Sequence, residues 1–351
     1  MSLSGSSLHL RAVVLAAGEG RRLRPLTLDT PKPLLPVLGR PILEHTLEQL
    51  AALGCDSAAI NLHHLGDQIE AHFGARYKGM PLHYSHEERL LGTSGALAAM
   101  REFLAPADLV IVINGDSYCR WPLKQMLRRH RRKHPAATLL VTRRADPRQF
   151  GGGVGVDRRG RIVSFAPGED FGPVKRRRVF AGAHVLEPEL VGRLPEGPSD
   201  FIADLYRPIL ESGSEEILAV ASGREWDDLG TPRRYLRGTL RAARGRGLRR
   251  LIAGGSWIGK GCRIDGSARL RRSVVERKTT IEAGAEIRNS VLLRGSTVEA
   301  GAQLSHCIVG FSVEIPAGAN ISGRLVTRRR PGQSVPEGSS VLGGLVFTPL
   351  D

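Results

Sequence analysis

The sequence predicts an α/β protein in two parts, a doubly wound, mixed but mostly parallel sheet followed by a parallel β-helix. Three observations carry this. Apolar strands alternate with helices from Arg11 to about residue 222. The run Leu109-Val110-Ile111-Val112-Ile113 is almost wholly β-branched, as a parallel strand covered on both faces requires. After residue 255 three columns of small or aliphatic residues recur in register, the pattern of stacked coils.

Residues 12–16 read as a buried strand. A helix over 41–50 puts Leu43, Leu47 and Leu50 on one face and stops at Gly54. A strand at 58–62, a short helix at 66–73 and a strand at 82–85 follow, then a helix capped by Thr93 and running to residue 104. Such alternation argues for a doubly wound sheet. Residues 151–165 break the rhythm and read as a hairpin turning at 157–160, so an antiparallel excursion is expected inside the domain. A strand at 179–186, a helix at 200–212 and a strand at 216–221 lead to Trp226-Asp227-Asp228-Leu229-Gly230-Thr231-Pro232.

The first domain is expected at 9–236, a basic linker at 237–252, the β-helix at 253–326 and a tail at 327–351. The units 256–272, 273–289, 290–306 and 307–323 are equal in length. They align Ile264, Ile281, Val298 and Ile315; Leu270, Ile287, Leu304 and Ile321; and Ala268, Ala285, Ala302 and Ala319.

With 351 residues, 41% hydrophobic and 25% charged, the chain can bury two cores. No apolar run approaches the roughly 20 residues of a membrane span. The serine-rich start has no signal-peptide core, so a cytoplasmic protein is expected. Cys55, Cys119, Cys262 and Cys307 never form Cys-x-x-Cys and read as reduced, packed thiols. The net charge of +16 is spread over runs at 128–133, 175–178, 241–250 and 328–330 without interleaved aromatics. That pattern reads as solvated surface that attracts small anionic substrates, with no specific nucleic-acid partner.

Val13-Val14-Leu15-Ala16-Ala17-Gly18-Glu19-Gly20-Arg21-Arg22-Leu23 is a strand entering a glycine-bearing turn, where backbone N–H groups can face an anion. It is not a dinucleotide turn, since Leu23 stands where a third glycine belongs, nor a Walker loop. Pro31-Lys32-Pro33 would hold an ammonium on a stiff, extended arm. Asp116, in Asn114-Gly115-Asp116, stands at the carboxyl end of the strongest strand, where open sheets bind ligands and a carboxylate suits Mg²⁺. Gly92 and Gly95 would let a flat base approach, and Glu87 could accept from both N1–H and the exocyclic amine of guanine.

Gly-x-Gly-x-Arg-Leu-x-Pro-Leu-Thr, then Pro-Lys-Pro, Asn-Gly-Asp, Phe180-Ala181-Gly182-Ala183-His184 and Trp-x-Asp-x-Gly-Thr-Pro, resembles the sugar-1-phosphate nucleotidylyltransferases from residue 11 to about 235. The repeats resemble the left-handed hexapeptide β-helix, and together the layout is similar to that of bacterial mannose-1-phosphate guanylyltransferases. The resemblance implies a Rossmann-like nucleotidyltransferase domain and the reaction of an NTP with a sugar 1-phosphate, giving an NDP-sugar and pyrophosphate. It implies catalytic roles for Arg22, Lys32 and Asp116, and Mg²⁺ held by Asp116 and by Asp228 in preference to Asp227. Nucleotide contacts fall on Leu15, Ala17, Gly18, Gly20, Glu87, Gly92 and Thr93, and sugar contacts on Gly115 and Gly182. His184 reads as a half-buried sheet residue. Relatives often carry Glu-Lys-Pro after the hairpin; here Phe165-Ala166-Pro167 stands, with Glu169 and Lys175 the available substitutes.

GTP and mannose 1-phosphate are the expected substrates, and the β-helix is expected to make a homo-oligomer. Uridylyl transfer, a catalytically silent regulatory homologue and a hexapeptide acyltransferase are the alternatives.

Overall fold

The computed structural model describes residues 8–244, 251–252, 254–332 and 334–350. Residues 245–250 of the expected linker lie outside the described residues, and its first part, 237–243, is the end of the helix Pro232–Ala243. The described chain forms two compact units: residues up to Glu19 with Leu43–Trp226, and Gly20–Ile42 with the residues from Asp227 onward. The chain therefore passes between units at residues 19–20, 42–43 and 226–227, where the sequence suggests one break near residue 236.

In the first unit the strand Leu10–Leu15 pairs in parallel with Ser57–Leu62 on one side and Leu109–Asn114 on the other. Met80–His86 continues the parallel sheet beyond Ser57–Leu62. Ala12, Val13 and Val14 are fully buried, as are Val110 to Ile113, so these runs lack the alternation of a half-exposed strand. The antiparallel excursion is built on one long strand, Arg176–Leu186. It runs against Leu109–Asn114, Ala137–Thr142 and the hairpin strand Val154–Val156, which pairs in turn with Ile162–Ser164. Ile217–Ser222 completes the sheet, parallel to Ala137–Thr142.

Two expected helices are shorter. The one after Thr93 ends at Ala98, where the Met100 N–H bonds the Leu97 carbonyl and tightens the turn, and resumes over Arg101–Leu104. The 200–212 segment opens with a π turn, Ile202–Tyr206, before the helix Arg207–Ser212. Pro208 has no N–H to give to the carbonyl four residues earlier, so the wider turn costs less there.

In the second unit the three sequence columns stack in register at a spacing of 17 residues, as a parallel β-helix. Buried serines lock one corner: Ser256, Ser273 and Ser290 each accept, through Oγ, the backbone N–H of the residue 17 further on. The helix Pro232–Ala243 packs against the coil strands Val274–Val275 and Val291–Leu292. The expected tail extends the sheet instead: Arg324–Arg328 stacks on Ile308–Val309 and pairs with Leu345–Pro349, which pairs with Ser340–Leu342.

The segment Gly20–Ile42 groups with these coils because its hairpin rests on them. Trp257 lies against Gly39, the Gly39 N–H donates to Glu276 Oε1 at 3.0 Å, and the Tyr235 hydroxyl donates to the Pro36 carbonyl.

Candidate active site

In the second unit, Gly20 takes a left-handed backbone (φ 63°) and starts the turn Arg21–Leu23. The turn is closed by Leu23 N–H on the Gly20 carbonyl and by the Thr27 hydroxyl on the same oxygen, both at 2.9 Å. Lys32 is not on an extended arm as expected; Pro31 is extended, but Lys32–Leu34 is a 3₁₀ turn, with Pro33 preset to helical φ. The turn buries Lys32 to 4% exposure and brings its Nζ to 4.0 Å from Asp228 Oδ1. Arg234 pairs with the other oxygen of that carboxylate.

Arg22 joins this group at Gly230. A Cβ there would stand 2.9 Å from the Arg22 guanidinium and 2.8 Å from Asp228 Oδ1, so a side chain would force them apart. Thr231 caps the following helix by accepting the Arg234 N–H, with Pro232 at the first helical position. Asp227 faces elsewhere, buried and paired with Arg241 at 2.6 Å. Arg234 was not foreseen. Its signal is a cation in the first turn of a helix, where the macrodipole disfavours one unless a carboxylate stands beside it.

In the first unit the site residues gather at the carboxyl ends of three parallel strands. Leu15 closes one strand, and its carbonyl accepts the Gly115 N–H at 2.8 Å. Ala17 is buried, while the space beside Gly18 where a Cβ would project is open. Asp116 is half-buried, with the Ser117 hydroxyl 3.4 Å from its Oδ1. Gly182 has φ 80°, and the Asn114 amide nitrogen lies 2.8 Å from where a Cβ would be, so only glycine fits beside this strand end.

Glu87 is 6% exposed and already engaged. Its Oε1 accepts from the Asn61 amide at 2.8 Å and its Oε2 from the Leu91 N–H at 2.9 Å. Asn61 in turn accepts the Ala16 N–H at 2.7 Å, so one chain of bonds ties the end of the first strand to the loop before the helix Gly92–Ala98. Asn61 also went unforeseen; its signal is a lone amide in a fully buried strand, which must bond something.

Two expectations about this helix are corrected. The space at Gly92 and Gly95 is taken by backbone, since a Cβ at either would sit 2.3 Å from the carbonyl of Ser199 or Gly197. Thr93 does not cap the helix; its hydroxyl donates to Asp200 Oδ2 and accepts the Phe201 N–H, pinning the 197–201 loop.

His184 is a structural sheet residue, buried where the sequence suggests half-burial. It bonds the Tyr206 hydroxyl among Phe180, Phe201 and Tyr206, and burial lowers its pKa to about 3. Where Glu-Lys-Pro is missing, Arg177 donates to the Ala166 carbonyl and pairs with Asp170, and Phe165 stacks on Tyr206. Glu169 is committed to Arg207 at 2.7 Å.

Residues 11–244 match the family described as nucleotidyl transferase, and residues 241–338 the GlmU-like C-terminal hexapeptide. The chain is 33% identical to the mannose-1-phosphate guanylyltransferase of Mycobacterium tuberculosis (strain ATCC 25618 / H37Rv), over 75% of this chain and 79% of that one. It is 32% identical to the mannose-1-phosphate guanylyltransferase catalytic subunit beta of Drosophila pseudoobscura pseudoobscura, over 72% of each. The crystal structure of HddC from Yersinia pseudotuberculosis shares the fold, with a TM-score of 0.55 at 22% identity, covering 66% of this chain and 98% of that one. Among the described residues no helix is long and apolar enough to cross a membrane. The chain therefore belongs to the nucleotidyl transferase family, as an enzyme that joins a nucleotide to a sugar phosphate and carries a C-terminal hexapeptide-repeat domain.

Proposed function

We propose that the enzyme transfers guanylate from GTP to mannose 1-phosphate, releasing pyrophosphate. The observation that carries the reaction type is the grouping of Arg22 and Asp228 at Gly230 with Lys32 4.0 Å from Asp228, two cations and a carboxylate suited to a nucleoside triphosphate. The choice of guanine and mannose is supported by the relatives named above.

In the reaction, a phosphate oxygen of the sugar phosphate attacks the α-phosphorus in line. A new P–O bond forms as the bond to the bridging oxygen breaks, and the β- and γ-phosphates leave as pyrophosphate. Arg22 and the amides of residues 18–20 hold the leaving phosphates. Lys32, buried and so poorly screened, neutralises charge developing at the α-phosphate. Leu15, Ala17, Gly18, Gly20 and Glu87 shape the nucleotide site, and Gly115 and Gly182 leave room for the sugar.

Asp116 and Asp228 are the proposed ligands of Mg²⁺. Carboxylates are the oxygen donors that Mg²⁺ takes, one or two of them beside substrate phosphate oxygens. Bound there, Mg²⁺ would offset phosphate charge.

A matrix of NTPs against sugar 1-phosphates, read by pyrophosphate release, tests this reading. GTP with mannose 1-phosphate is expected to be fastest; UTP faster by about 10-fold or more would overturn the base assignment. The β-helix is proposed to assemble the chain into a homo-oligomer, and a monomeric mass in solution would refute that.

A further inference from the structure

Basic runs far apart in the sequence converge in the first unit on one cavity of about 480 Å³. Arg129 comes from the helix Leu123–Lys133, Arg143 from the end of the strand Ala137–Thr142, and Arg158 and Arg159 from the hairpin turn. Lys175, Arg176 and Arg178 come from the start of the long strand. Alternation along that strand sends Arg177 the other way, to Gly153, Ser164 and Asp170.

The cavity holds one carboxylate, and it is already used. Asp157 accepts the N–H groups of Arg159 and Arg161 and the Arg161 guanidinium. None of the seven lining cations enters an ion pair among the described residues. Arg129 Nε is shielded from solvent and has no hydrogen-bond partner there. The helix that carries it is tied to the sheet by the buried His130, bonded to Thr138 and Glu187. A cluster of like charges and a buried unpaired donor are costly unless an anion completes them.

Val156 and Ala221, backed by the buried Val141, Ala219 and Val220, supply an apolar wall, and the volume is that of a small-molecule site. No aromatic lines the cavity for base stacking along a strand of nucleic acid. None of the lining residues belongs to the proposed active site.

We propose that this cavity binds a small molecule carrying two or more linked phosphates, at a site separate from that of nucleotidyl transfer. Arginine forks fit phosphate oxygens two at a time, and the apolar wall would take the rest of a phosphorylated ligand.

The test is calorimetric titration of the full-length chain with inorganic tripolyphosphate and with ADP at about 0.15 M salt. It compares wild type, the exposed-residue variant R158Q/R159Q, the variant R129Q/R178Q and Lys32→Ala, each checked for an unchanged melting temperature. Binding to wild type and to Lys32→Ala, weakened about 10-fold or more in R158Q/R159Q, is expected. Tighter binding of ADP than of tripolyphosphate would identify a ligand whose phosphates are carried on an organic group; the reverse, an inorganic one. The proposal fails if wild type does not bind, if binding is lost in Lys32→Ala alone, or if both arginine variants lose less than about 10-fold. It also fails if a 20-nucleotide DNA competes equally per phosphate, the mark of a polyelectrolyte surface. Because the readout is binding, it stands or falls apart from the substrate assignment.

Discussion

Lys32 Nζ stands 4.0 Å from Asp228 Oδ1, with both side chains largely withdrawn from water, at 5% and 18% exposure. Water screens the pair little, so it acts more strongly than a surface bridge, and Arg234 keeps the carboxylate balanced.

Lys32→Ala is expected to lower turnover by about 100-fold or more. Asp228 keeps Arg234, so the melting temperature should move by only a few degrees. Pyrophosphate release at saturating substrate checks this, and a rate near wild type would remove Lys32 from the reaction.

Asp116→Ala is expected to lose about 100-fold or more in turnover with little change in stability, since the side chain is half-buried at a strand end. Titrating Mg²⁺ against activity should show a weakened requirement for the ion. An unchanged Mg²⁺ profile would count against Asp116 as a ligand.

The neighbouring aspartates should part company. Asp228→Asn is expected to cost turnover, whereas Asp227→Asn should cost about 1–3 kcal/mol of stability by weakening its tie to Arg241, with turnover within a few-fold of wild type. The reverse pattern would exchange their roles.

Glu276 gives the second unit a pH dependence. Burial pushes its pKa up from 4.5 to about 7, against the opposing pull of the Gly39 and Leu38 N–H groups and of Arg277. The folded state therefore binds a proton that the unfolded state has released. This contribution is full below about pH 4.5 and is lost as pH rises through about 7, a swing on the order of 3 kcal/mol. Glu276→Gln keeps an acceptor for Gly39 and should raise the melting temperature at about pH 8 while flattening its profile above about pH 5. A profile as steep as wild type would show that another group is responsible.

The serine ladder should be felt coil by coil. Ser290→Ala leaves the Cys307 N–H without its acceptor, at a cost of about 1–3 kcal/mol in denaturant unfolding. Ser305→Ala, at a partly exposed position, serves as the control.

Much of the fold was legible because its signals are local. The β-branched run at 109–113 and the repeated columns of the β-helix needed no distant partner to be read, and the parallel pairings bear them out. Lys32, Asp116 and Asp228 were likewise marked by short motifs. What was missed depends on packing from afar: Ser199 and Gly197 fill the space beside Gly92 and Gly95, and Asn61 and Leu91 claim Glu87.

The sequence by itself determined the strand and coil pattern, the family and the residue types of the candidate site, since periodicity and short motifs are properties of neighbouring residues. Only the tertiary structure decided that Gly20–Ile42 packs with the C-terminal coils, that Arg234 shares Asp228 with Lys32, and that scattered arginines line one cavity. Those facts rest on which surfaces bury one another and which charges then lose their water, and residues hundreds of positions apart settle them jointly.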